Sequence, residues 1–127
     1  MKTFLSRLVL ILFAVSAPAV AAAEERFELR SGAEVLEITA LRPDILRIRQ
    51  GSGSLPEDAS WAVPSELRSL HAPLKVTRGP QGVVVDAGAL VVQIDPKTLK
   101  TVIKDADGGI VLADSPGDGV ERHGAQF

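Results

Sequence analysis

The sequence predicts an all-β chain folded as an antiparallel β-sandwich. Three observations predict it. Apolar and polar residues alternate in short runs with a period of two, the spacing of a strand with one wet face. Clusters of Gly, Pro and Asp punctuate those runs, as turns require. No segment carries a sustained helical period.

The elements follow in chain order. From Glu34 to Ala40, Leu36, Ile38 and Ala40 fall on one face, and Glu37 and Thr39 on the other. Pro43-Asp44 turns the chain into a strand from Ile45 to Gln50. There Leu46 and Ile48 oppose Arg47 and Arg49. Gly51 and Gly53 are expected to end it, because glycine readily adopts the left-handed conformations of turns. Ser65 to Leu70 has room for one short helical turn. Leu74-Lys75-Val76-Thr77-Arg78 alternates again, and Gly79-Pro80-Gln81-Gly82 is a turn by composition. Val83-Val84-Val85 reaches a tight connection at Asp86-Ala87-Gly88. Leu90, Val92 and Ile94 repeat the period of two. A further strand is expected from Thr98 to Lys104. Asp107-Gly108-Gly109 then signals a hairpin returning through Ile110-Val111-Leu112. The tail from Ser115 to Gly119 reads as a loop.

Residues 1–23 read as a secretory leader. Lys2 and Arg7 precede a short apolar core, Leu8 to Val15, and Ala21-Ala22-Ala23 fits a small-residue cleavage site before Glu24. Cleavage after Ala21 fits almost as well. The apolar core is short for a bilayer span, and the Ala-rich form is bacterial in style. The expected location is therefore exported, periplasmic or secreted, with no membrane attachment after processing. Residues 24–127 then make one small domain. Lys2 and Arg7 leave with the leader while all 16 acids remain, so the net charge moves from −2 to −4. That balance offers no polyanion-binding surface and argues against nucleic acid as a partner. The chain has no cysteine, so apolar burial rather than disulfides must stabilise it.

Chemistry-bearing residues are sparse. His71 and His123 are the two histidines, far apart and without metal-ligand spacing. Asp105-Ala106-Asp107-Gly108-Gly109 faintly resembles a calcium loop, but the twelfth position from Asp105 is Pro116, where an EF-hand needs Glu. A hairpin turn accounts for these residues better. Glu57-Asp58 has the residue types of half a glycosidase carboxylate pair, although adjacent loop acids are the commoner solvated turn. Trp61, the one tryptophan, reads as a plug for one end of the core, with sugar stacking as the alternative. No catalytic, cofactor or metal residue is assigned.

Four segments together carry a resemblance. Leu41-Arg42-Pro43-Asp44-Ile45-Leu46-Arg47-Ile48-Arg49 is a polar turn followed by an Arg-bearing strand. Pro56-Glu57-Asp58-Ala59-Ser60-Trp61-Ala62-Val63 follows it. Leu90-Val91-Val92-Gln93-Ile94-Asp95-Pro96 and Lys104-Asp105-Ala106-Asp107-Gly108-Gly109-Ile110-Val111-Leu112 complete the set. In this order and spacing, over roughly residues 27–127, they resemble the N-terminal β-sandwich of family 31 glycoside hydrolases, the α-glucosidase and α-xylosidase group. The resemblance implies a galactose-mutarotase-like sandwich, here incomplete, packed on a (β/α)8 catalytic barrel. That barrel carries both catalytic carboxylates of the family, so no catalytic residue passes to this chain, which is expected to be a fragment of such an enzyme and not catalytic by itself. Its expected partners are the barrel and, through the parent enzyme, a carbohydrate substrate. A free-standing exported binding or interaction domain is the alternative reading. The mature chain has only Phe27, Trp61 and Phe127 as aromatics, which argues against an autonomous sugar platform. Self-association through unpaired strand edges is also expected, with the β-branched stretches 82–86 and 89–94 as the sticky segments.

Overall fold

The computed structural model describes residues 23–57 and 62–117. Nine strands form two antiparallel sheets, with one helical turn between them. The smaller sheet is a meander of β2 (Arg26–Ser31), β3 (Glu34–Arg42) and β4 (Ile45–Ser52). The larger sheet has the order β1-β5-β6-β7-β8-β9. Its strands are β1 (Ala23–Glu24), β5 (Leu74–Gly79), β6 (Gly82–Asp86), β7 (Leu90–Ile94), β8 (Thr101–Asp105) and β9 (Ile110–Ala113). The expected all-β class is thus observed, as an open, sandwich-like pair of sheets of six and three strands.

The period-two patterns build the core. The register places Phe27 opposite Ile38, Leu29 opposite Leu36, and Ile38 opposite Ile48, so one face of the smaller sheet is continuously apolar. Phe27, Leu36, Ile38 and Ala40 on that face are buried against Leu74, Val76, Val85 and Val92 of the larger sheet. Arg78 lies over the Phe27 ring, 5.5 Å from its centroid, where the ring's negative face attracts a cation. At one corner the Ala72 N–H donates to the Ala40 carbonyl at 2.7 Å. This bridge ties the end of β3 to the segment that enters β5. Ser65–Arg68 forms the anticipated single helical turn, α1.

Several expectations are corrected. The strand β2 was not anticipated, although Phe27 and Leu29 alternate with Arg26, Glu28 and Arg30. The strand β4 does not stop at Gly51. That residue pairs with Val35, and the turn falls at Gly53, with φ of 77°. Glu37 and Thr39, assigned to a wet face, are buried; over Glu37 the chain returns after β4, where Arg49 bonds both Glu37 and the Pro56 carbonyl. The strand expected from Thr98 begins only at Thr101. Before it, the Asp95 carboxylate accepts from the Lys97 and Thr98 N–H groups, and the Leu99 N–H donates to the Asp95 carbonyl. That turn forces Leu99 to φ of 58° while its side chain enters the core.

Candidate functional site

Three surfaces contain chemistry worth weighing. The first lies on the outer face of the smaller sheet. The register puts Glu37 opposite Arg49 on neighbouring strands. The Arg49 guanidinium donates to Glu37 at 3.1 Å and also to the Pro56 carbonyl. Arg26 approaches the other Glu37 oxygen at 3.6 Å. Arg30 donates to the Gly53 carbonyl at 3.0 Å, and the Gly53 N–H donates to Ala33. Two guanidinium groups therefore hold residues 53–57 over the sheet as a strap. Leu55 fits beneath it because Gly51 has no side chain; a Cβ there would sit 2.8 Å from Leu55 Cδ2. Glu57 is exposed at the end of this strap, beside a cleft of about 380 Å³ shared with Arg26, Glu28 and Arg30. Arginines and carboxylates alternate in the cleft, so it presents no single-sign field.

The second surface is an apolar groove of about 240 Å³ between the β3–β4 turn and α1. Leu41, Ile45, Val63, Leu67 and Leu70 line it. Ile45, Leu67 and Leu70 are each more than two-fifths exposed. Arg42 and Asp44 pair at the rim, at 3.0 and 3.2 Å.

The third surface is the β9 end of the larger sheet. Six strands face three, and the buried core ends at Ile103 on β8. Leu112 pairs with Ile103 and so belongs to the same inner face, yet it is 62% exposed. Ile110 and Val111 are similarly bare, at 68% and 61%. The acids that flank this strand turn inward. Asp114 accepts from the Thr101 N–H at 2.7 Å and from its hydroxyl at 3.0 Å. Asp105 accepts from the Gly109 N–H at 2.7 Å and from the Asp107 N–H at 3.1 Å.

The residues singled out by sequence do not converge. Asp105–Gly109 forms the hairpin turn, with Gly108 at φ of 86°. His71 is exposed next to the Ala72 bridge. Asp58, Trp61 and His123 lie outside the described residues, as does Phe127. Among the described residues, no group of three or more His, Cys, Asp or Glu side chains is placed to hold a metal ion. The stretches 82–86 and 89–94, expected to be sticky, are the interior strands β6 and β7, paired on both sides. Their alternating valines are consumed by the core, and the bare edge is β9. Its signal was the uncharged run Ile110-Val111-Leu112-Ala113 after a hairpin turn, which periodicity alone cannot tell from an interior strand.

The fold thus defines an all-β, two-sheet class with an open larger sheet. No family model matches the chain, and no curated protein or solved structure is significantly similar to it.

Proposed function

We propose that this chain is the exported, non-catalytic N-terminal module of a family 31 glycoside hydrolase, a galactose-mutarotase-like sandwich that supports the catalytic barrel and shapes carbohydrate access to it. The observation that carries the reading is the surplus of the larger sheet. Six strands oppose three, so Leu112 and its neighbours lack the second layer that a sandwich face needs. A module inside a larger enzyme receives that layer from adjoining parts of the polypeptide. The motif order supports the same reading: Leu41 to Arg49 spans the β3–β4 turn, and Lys104 to Leu112 spans the β8–β9 hairpin. The apolar groove beside α1 offers a second contact for a barrel. Phe27 is the one aromatic residue among the described residues, and it is fully buried. Phe27 therefore supplies no sugar-stacking ring.

The test is the gene beyond the codon for Phe127. An open frame encoding a (β/α)8 barrel is expected, and a stop followed by unrelated sequence overturns the proposal. The purified chain is expected to leave aryl α-glycosides intact. Turnover above a buffer blank that disappears in Glu57→Gln or Asp58→Asn would place catalysis in this chain and overturn the module reading as well.

A further inference from the structure

We infer that the free chain forms a closed dimer with a second copy of itself, by antiparallel pairing of β9 with β9 across a twofold axis. The inference rests on the open edge and not on the module role. An antiparallel two-sheet fold has four edges, and proteins guard such edges with charge, irregularity or cover. Here the β2 edge carries Arg26, Glu28 and Arg30, and the β4 edge carries Arg47 and Arg49. At the far end of the larger sheet, β1 brings Glu24, and β5 brings Lys75 and Arg78. The strand β9 brings Ile110, Val111, Leu112 and Ala113, all exposed and uncharged. Its flanking carboxylates, Asp105 and Asp114, are turned back into their own sheet by the hydrogen bonds to Gly109 and Thr101. Neither stands guard over the edge.

The occupant follows from this asymmetry. A strand that docks on β9 must itself be apolar, extended and free of charge. Among the described strand edges only another β9 meets that description. The described residues of each chain offer one such edge, so pairing stops at two copies and closes, as isologous contacts do. A filament would need a second sticky edge, and the other three carry charges. Pairing about a twofold axis beside Leu112 places the inner-face leucine of each copy opposite its counterpart and joins the two six-stranded sheets into one continuous sheet. The register shift between Ile103 and Lys104 limits the regular part of the edge. One short strand per copy is small beside the roughly 800 Å² per partner of a standard stable interface. The dimer should therefore be weak and concentration-dependent.

Sedimentation equilibrium on the purified full chain tests this, with circular dichroism and a thermal melt as folding controls. The mass is expected to rise toward twice the monomer value with concentration. Leu112→Lys and Val111→Lys should raise the dissociation constant at least tenfold with the melt unchanged, since both side chains are already exposed. Because the chain has no cysteine, Leu112→Cys gives a second readout. It should oxidise to a disulfide-linked dimer, while Arg30→Cys on the β2 edge should not. A monomer at every concentration overturns the inference. So does association that the lysine variants leave intact, or equal cross-linking through residue 30.

Discussion

Leu99 sets two opposing requirements at one position, and separating them gives a sharp test of the packing described above. Its side chain is 2% exposed, within the core. Its backbone sits at φ of 58°, a region that costs an L-residue about 1–2 kcal/mol. At an ordinary buried site, Leu→Ala costs about 2–5 kcal/mol, and going on from Ala to Gly costs about 0.5–1 kcal/mol more in chain entropy. Here Leu99→Ala loses the packing and keeps the strain. Leu99→Gly loses slightly more packing and relieves the strain. The relief of about 1–2 kcal/mol matches or exceeds the entropic loss. Leu99→Gly should therefore be as stable as Leu99→Ala, or up to about 1 kcal/mol more stable, with both well below the unsubstituted chain. Urea unfolding at fixed protein concentration measures the three values. A glycine variant about 1 kcal/mol less stable than the alanine variant would refute the left-handed backbone, and a near-neutral alanine variant would refute the core position.

Other outcomes follow from the same geometry. Gly82→Ala should destabilise by more than the about 1–3 kcal/mol of backbone strain alone, because φ there is 122° and a Cβ would run into the Ile94 carbonyl; a thermal melt within a degree of the parent would contradict it. Glu37→Ala should cost about 1–3 kcal/mol by leaving Arg49 without its carboxylate, and should speed tryptic cleavage after Arg49 as the strap loosens; unchanged digestion would dissociate the carboxylate from the strap. The Asp95 carboxyl is held below its ordinary value, chiefly by the Lys97 N–H; desolvation opposes this, and lesser lowering contributions come from Thr98 and the Lys97 charge. A depressed carboxylate stabilises the fold above its unfolded value of about 3.9, and that stabilisation is lost as pH falls through the folded value. Asp95→Ala should thus shrink the acid-induced fall in melting temperature below pH 4, and equal acid limbs would remove Asp95 from it. N-terminal sequencing of exported material should begin at Glu24 or Ala22, whereas a chain still starting at Met1 would exclude a cleaved leader.

The strands were legible where one side of the pattern was apolar and turns bracketed it. The segments Leu74 to Arg78, Leu90 to Ile94 and Ile110 to Leu112 fell where their periodicity placed them. Failures came from contacts that a one-dimensional pattern does not contain. Glu37 reads as a solvated residue until Arg49 and the Pro56 carbonyl are brought over it. Leu99 reads as part of a strand because its apolar character is visible and the Asp95 carboxylate that bends its backbone is four residues away. The valines of β6 and β7 look like exposed hazards until both neighbours are paired. Surface character was thus less legible than strand position, because exposure depends on which strand ends the sheet.

The strand order has a consequence for how the chain finds its structure. Strands β2 to β4 and β5 to β9 are two uninterrupted meanders in which every partner is the next strand along. Each can zip from its own hairpin turns with little loop-closure entropy. Among the described residues, long-range pairing is confined to β1 with β5, and to the Ala40–Ala72 bridge. The rate-limiting event should be the collision of two preformed sheets around Phe27, and the chain should fold quickly for an all-β protein. For a polypeptide synthesised N-terminus first, that order lets the smaller sheet form before the larger one has fully appeared.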